Sequence, residues 1–217
     1  MFLGHYAVAL GAKRAAPKTS LGTLFFAAQF IDLLWPVLLL LGLEHVRLDP
    51  GNTAVTPLDF YDYPISHSLA GVLVWAVVVG GIYFAIRRSW KSTLVVAAAV
   101  ISHWVLDLVV HRPDLPLGFS GDLRFGFGVW NSLPLTLVLE LGLLAAGSFI
   151  YMRATKAADR IGSYGLVALL VVLTGIYIAN LFGPPPPDVG MIGIAGNASW
   201  LFVLWAAWVD RHRQAVA

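Results

Sequence analysis

The chain contains no cysteine, and that absence removes disulfides, thiolate metal ligands and cysteine nucleophiles together. Any metal it holds must be bound through nitrogen and oxygen. Charge is also scarce. Asp, Glu, Lys and Arg make up 12% of the residues, where an average soluble domain has about 25%. So few charges cannot cover a water-facing surface. The basic residues form no long run, and a net charge of +2 spread over interhelical segments gives no reason to expect a nucleic-acid partner. Internal repeats and matched broken helices, the marks of many secondary transporters, are missing too. The opening segment MFLGHYAVALGAKR carries its charges after the apolar stretch and offers no clear small-residue cleavage site, so it does not read as a secretory signal.

What is present is hydrophobic. With 59% apolar residues and a mean hydropathy of +0.78, the chain reads as an integral membrane protein. Six apolar spans can be drawn near 21–43, 67–86, 93–110, 131–151, 164–182 and 190–208, each about long enough to cross roughly 30 Å of hydrocarbon. Residues 1–13 read as a short helix, half-buried or interfacial. The expected fold is therefore all-α and polytopic, a single domain of about six transmembrane helices plus a short N-terminal helix. Lysine and arginine sort by side: Lys13, Arg14, Lys18, Arg87, Arg88, Lys91, Arg153, Lys156, Arg160, Arg211 and Arg213 against Arg47, Arg112 and Arg124. The positive-inside rule then predicts both termini in the cytoplasm. The opposite loops carry Glu44, Asp49, Asp59, Asp62, Asp114, Asp122 and Asp188. The last two spans lack Asp, Glu, His, Lys and Arg and read as scaffold, with Asn180 and Asn197 available to join helices.

Ionisable residues concentrate in the first four spans. The segment SHWVLDLVVHRPD at 102–114 places His103, Asp107 and His111 on one helical face at roughly 6 Å intervals. Each such group costs roughly 2 to 3 kcal/mol or more at the bilayer centre, so the row implies mutual pairing, a bound cation or a water-filled cavity. A helix-locking pair is the ordinary role for His103 with Asp107. Continuation to His111 and Asp114 at the mouth favours a site. Asp32 lies eleven residues into the first span, where a carboxylate must be protonated, paired or a ligand. Pro36 follows and removes a helical hydrogen bond at Asp32, which predicts a kink that opens room for an ion. His67 begins the second span. Glu140, nine residues into the fourth, is placed to be a ligand, a partner that orients a histidine, or a general base. His5 stands alone near the N-terminus, and His45 and His212 fall in loops.

A mixed set of histidines and carboxylates suits zinc, and also manganese, iron or nickel. Such a shell commonly leaves a position for water, and hydrolysis of an ester or phosphoester is the simplest chemistry it supports. The order His5, SLGTLFFAAQFID at 20–32, SHS at 66–68, SHWVLDLVVHRPD at 102–114 and WNSLPLTLVLE at 130–140 resembles the YdjM-like inner-membrane proteins, described as predicted metal-dependent hydrolases. The resemblance covers about two thirds of the chain. It implies a bacterial inner-membrane location and a metal-binding set of His5, Asp32, His67, His103 and Asp107. Two departures stand out. Family members often show a Pro-Asp-x-Asp element where this chain has only Asp32, and an Arg-Gly-x-Thr-His-Ser element where it has Tyr63-Pro64-Ile65-Ser66-His67-Ser68. A fainter likeness to the all-helical zinc-dependent phospholipases C hints at a lipid-like substrate.

The expectation is thus a membrane-embedded, metal-dependent hydrolase acting on a lipid or other amphiphilic small molecule. His5, Asp32, His67, His103, Asp107 and His111 form or extend the metal shell, and Glu140 or Asp114 accepts the proton. His5 reaches Asp32 only if residues 1–12 form a half-spanning helix, which would lift it about 12 Å above Lys13. The rival reading is an ion- or proton-coupled transporter that uses the same intramembrane groups.

Overall fold

The computed structural model describes residues 1–120 and 122–216. Its helices are α1 (Leu3–Ala15), α2 (Leu21–Leu40), the single turn α3 (Pro64–His67), α4 (Leu69–Arg87), α5 (Trp90–Val110), α6 (Leu133–Ala154), α7 (Leu166–Phe182), α8 (Val189–Asn197) and α9 (Trp200–Arg211). Among the described residues, six segments are long and apolar enough to cross a membrane: Leu21–Leu40, Leu69–Arg87, Trp90–Val110, Leu133–Ala154, Ile161–Phe182 and Val189–Arg211. The protein is an all-α polytopic membrane protein. Three short antiparallel ribbons lie in the connections, β1 (His45–Leu48) with β2 (Leu58–Asp62), β3 (Leu115–Pro116) with β4 (Arg124–Phe125), and β5 (Thr155–Ala157) with β6 (Arg213–Ala215).

Several helix ends differ from the expected spans, each for a local reason. The first span stops at Leu40 rather than 43 because Gly42 adopts φ +67°, and the chain reverses through Gly42 N–H to Leu39 O (3.1 Å) and Leu43 N–H to Leu38 O (2.9 Å). That paired pattern around a left-handed glycine is the Schellman stop. The second span is broken at its start: Ser68 is extended, and its Oγ accepts from Gly71 N–H at 2.9 Å to begin α4. His67 therefore ends a separate turn rather than opening the long helix. The last span bends between α8 and α9, and Asn197 bonds back to Gly193 O within α8 instead of joining helices. Pro36 sits inside α2, and Gly193 and Gly196 let α8 close against it, since a Cβ at Gly196 would lie 2.6 Å from Pro36 Cγ.

The short N-terminal helix is the element around which the site is assembled. Leu3, Tyr6, Ala9 and Leu10 are fully buried, and α1 packs against α2, α5 and α6. Its closest approach is to α6, where a Cβ at Gly147 would stand 2.3 Å from Ala7 O. A helix that begins inside apolar surroundings leaves its first N–H groups without water. Glu140 of α6 supplies the acceptors, taking Phe2 N–H on Oε1 and Gly4 N–H on Oε2, both at 2.9 Å. A carboxylate there also complements the positive end of the helix dipole. At the other end Lys13 Nζ donates to Asp210 Oδ2 (2.6 Å) and Thr19 O (2.9 Å). Asp210 further accepts from Leu21 N–H (3.0 Å) and Tyr151 OH (2.8 Å), which closes the basic end of the bundle.

Candidate metal centre

Five of the residues singled out in the sequence converge. His103 and Asp107 come from α5, Asp32 from α2, His67 from α3 and His5 from α1. His103 Nε2 lies 3.2 Å from Asp107 Oδ2 and 3.5 Å from Asp32 Oδ1. His5 Nε2 is 3.2 Å from Asp107 Oδ1 and 4.0 Å from Asp32 Oδ2. His67 Nε2 is 3.5 Å from Asp32 Oδ1 and 3.9 Å from Asp107 Oδ2. The His5 and His103 rings stack at 3.7 Å, and His67 meets His103 edge-on at 5.5 Å. Two groups have ligand atoms mutually within 4.8 Å, His5 with His103 and Asp107, and Asp32 with His67 and His103. His103 belongs to both, so the five residues make one continuous cluster.

These separations fit a shared cation. Two ligand atoms each about 2.1 Å from zinc at a tetrahedral angle stand roughly 3.4 Å apart. The imidazoles are also prepared for it. His103 Nδ1 lies 2.8 Å from Ala28 O, a carbonyl that can only accept, so Nδ1 is the donor there and Nε2 is the nitrogen left facing the two carboxylates. For His67 the same result follows through a relay. The Ser66 hydroxyl donates to Glu44 Oε2 at 2.6 Å, and Ser66 N–H donates to Glu44 Oε1 at 2.8 Å. With its one proton committed, Ser66 Oγ accepts from His67 Nδ1 at 2.7 Å, which again leaves Nε2 facing the cluster. His103 Nε2 and both ring nitrogens of His5 are buried with no hydrogen-bond partner among the described residues. Orphaned buried nitrogens beside two carboxylates are what a bound divalent cation would satisfy. The buried α-ammonium of Met1 donates to Asp107 Oδ1 at 2.5 Å, so that carboxylate oxygen already has a cationic partner. Four members of the cluster are buried, while the Asp32 side chain is 33% exposed.

No family model, curated protein or solved structure matches the chain.

The remaining candidates lie apart from the cluster. His111 was expected to continue the row of His103 and Asp107; its N–H still bonds to Asp107 O at 2.8 Å, but at the end of α5, one turn beyond Asp107, its ring does not join the cluster. It packs instead on Trp130 (4.3 Å) and Phe60 (5.1 Å), with Nδ1 2.9 Å from Asp114 Oδ1. Asp114, the second candidate for proton acceptor, is taken up by that histidine, by Arg112 Nε (3.2 Å) and by the Tyr63 hydroxyl (3.2 Å). Burial, and then the charge of Asp114, hold the Tyr63 phenol well above its usual pKa, so it remains a donor. Glu140, the other candidate, is occupied at the start of α1. His45 and His212 pair with Asp62 (2.7 Å) and Asp159 (2.6 Å) outside the bundle. Glu44 went unrecognised in the sequence. It is fully buried, yet it directly follows the first apolar run, where a glutamate normally marks the return to water.

Proposed function

We propose that the protein is a membrane-embedded, metal-dependent hydrolase that cleaves an ester or phosphoester of an amphiphilic, lipid-like substrate. The observation that carries this reading is the convergence of three imidazole Nε2 atoms on two carboxylates, with His103 and His67 already fixed from behind. His5, His67, His103, Asp32 and Asp107 would hold the metal, zinc by ligand type, with manganese, iron or nickel also suited. A cation there supplies a Lewis acid and makes water acidic enough to ionise near neutral pH. Asp32 is the exposed member and the most loosely engaged. If a metal is held there, Asp32 would be the member best able to take up a proton from water. Glu140 keeps α1, and with it His5, at the required depth.

The distribution of lysine and arginine supports an orientation with the basic end in the cytoplasm. The cluster then opens toward the extracytoplasmic leaflet, where a lipid ester can enter without leaving the bilayer. The resemblance to YdjM-like inner-membrane proteins, whose implied ligand set is the five residues that converge, supports the same reading.

Elemental analysis of the purified, folded protein tests it. Stoichiometric zinc or manganese is expected in the wild type and none in His103→Ala or Asp107→Ala, with both variants still monodisperse and helical. Full metal content in either variant overturns the proposal. Cleavage in a lipid-ester screen should rise and fall with metal loading; a metal-free protein that drives proton-coupled flux in liposomes would make it a transporter.

A further inference from the structure

One face of α4 carries Trp75, Val78, Val79, Ile82, Tyr83 and Ile86 at the three- and four-residue spacing of a single stripe. Phe26 and Phe30 of α2 face it, but the two helices do not close on each other. Instead α4 packs on α5 and α5 packs on α2. The gap is an open groove of about 590 Å³ floored by Val96 of α5, a volume in the usual range for bound small molecules, about 300 to 1,000 Å³. Trp75 closes one end: its ring meets Phe30 at 5.5 Å, and its Nε1 donates to Ile65 O at 2.9 Å. The other end is polar. Lys18, Arg87, Thr19 and Ser20 line it, with Thr19 Oγ1 hydrogen-bonded to Tyr83 OH at 2.8 Å. Both cations are exposed, and neither forms an ion pair among the described residues.

We propose that this groove binds one anionic phospholipid of the surrounding membrane, with its phosphate at Lys18 and Arg87 and one acyl chain laid toward Trp75. The length agrees. Trp75 to Arg87 spans twelve residues of helix, about 18 Å, close to the roughly 15 Å depth of one hydrocarbon leaflet. The charge agrees too, because two unpaired cations stand at one end and only apolar and aromatic side chains lie beyond the hydroxyls. A zwitterionic lipid would set the ammonium of its own headgroup against the two cations, and a soluble anion would leave the stripe unused. The lipid is not the hydrolase substrate: Phe30 and Asp32 are two residues apart on α2, about 200° around the helix, so groove and metal cluster lie on opposite sides. The proposal stands independently of the hydrolytic reading.

Native mass spectrometry of the full chain in detergent reads this directly, with phosphatidylglycerol and phosphatidylcholine of identical acyl chains as probes. One phosphatidylglycerol should be retained per chain in preference to phosphatidylcholine. The double variant Lys18→Ala/Arg87→Ala should bind it about 30-fold more weakly, as expected for losing two cations near a membrane surface. Lys156→Ala/Arg160→Ala, at the same end but away from the groove, should bind as the wild type does. Ile82→Trp, which narrows the groove without changing charge, should also lose the lipid. Equal retention of the two lipids, undiminished binding by the Lys18/Arg87 or Ile82 variants, or an equal loss in the Lys156/Arg160 control would each overturn the proposal. Should a variant fold poorly, a salt titration of the wild type decides the matter: phosphatidylglycerol binding must weaken with salt while phosphatidylcholine binding does not.

Discussion

Ser66→Ala removes one oxygen that touches no proposed ligand atom, and it should nonetheless weaken metal binding. The Ser66 hydroxyl has a single proton, and Glu44 Oε2 takes it at 2.6 Å. What remains for His67 is a lone pair 2.7 Å from Nδ1. Without it the imidazole is free to rotate and to move its proton to Nε2, the atom that faces Asp32 at 3.5 Å. Loss of such an outer partner typically costs 10- to 100-fold in metal affinity, or about 1.4 to 2.7 kcal/mol. The assay is competition for zinc against a chelator, with the full chain in detergent. Stability must be read separately, because the variant also strands Glu44 Oε2 in a buried position, at about 1 to 3 kcal/mol. Thermal melts of the metal-free forms give that cost. A double-mutant cycle isolates the relay: if Ser66 acts through His67, then Ser66→Ala should change affinity by less than about twofold once His67 is already alanine. The same loss in both backgrounds would refute the relay.

Variants at two further positions probe the depth and seating of α1. Glu140→Ala leaves the N–H groups of Phe2 and Gly4 without acceptors in apolar surroundings and should lower stability by about 1 to 3 kcal/mol for each bond lost. Glu140→Gln keeps one acceptor oxygen and should fall between. If it abolished hydrolysis at unchanged thermal stability, Glu140 would be a base rather than an anchor. Gly147→Ala pushes a Cβ to 2.3 Å from Ala7 O and 2.8 Å from Ala7 Cα, backbone atoms that yield only if α1 moves. Overpacking of about 1 to 3 kcal/mol should outweigh the roughly 1 kcal/mol that alanine gains over glycine in a helix. A lowered melting temperature together with weaker zinc binding is expected, whereas wild-type values for both would show that α1 does not depend on this contact.

The residues that could be read from sequence are those whose type conflicts with their setting. Asp32, His103, Asp107 and Glu140 stand inside apolar runs, and a charge placed there demands a reason whatever the fold. The six spans were legible for the same cause, since length and composition alone decide whether a helix can cross a membrane. His5 carried no such conflict and was reached only through the family resemblance. Helical periodicity carried the row of His103 and Asp107 on to His111, which does keep the helical bond to Asp107 O, but one turn further along its ring meets Trp130, Phe60 and Asp114 instead of the cluster, neighbours that periodicity does not reveal. Glu44 and Ser66 were illegible because nothing in a Leu-Glu-His loop or a Pro-Ile-Ser-His turn says that the two segments meet. Their pairing depends on the Schellman stop at Gly42 and the break at Ser68, tertiary details that leave no mark in sequence pattern or composition.

The depth at which His5 meets Asp32 follows from helix geometry and one carboxylate. Asp210 holds both Lys13 Nζ and Leu21 N–H, so it sets α1 and α2 in register at the basic end. From there His5 lies eight residues along α1, about 12 Å, and Asp32 eleven residues along α2, about 16 Å. The backbone positions thus differ by roughly 4 Å in depth. The two helices run in opposite directions across the short link of residues 16–20, and side chains tilt toward the N-terminus of their own helix. The His5 side chain therefore leans away from the basic end while that of Asp32 leans back toward it, and the two close the gap to 4.0 Å. A full-length first helix would carry its histidine past the carboxylate. A half-spanning one, capped in mid-membrane by Glu140, stops where an imidazole can join the cluster.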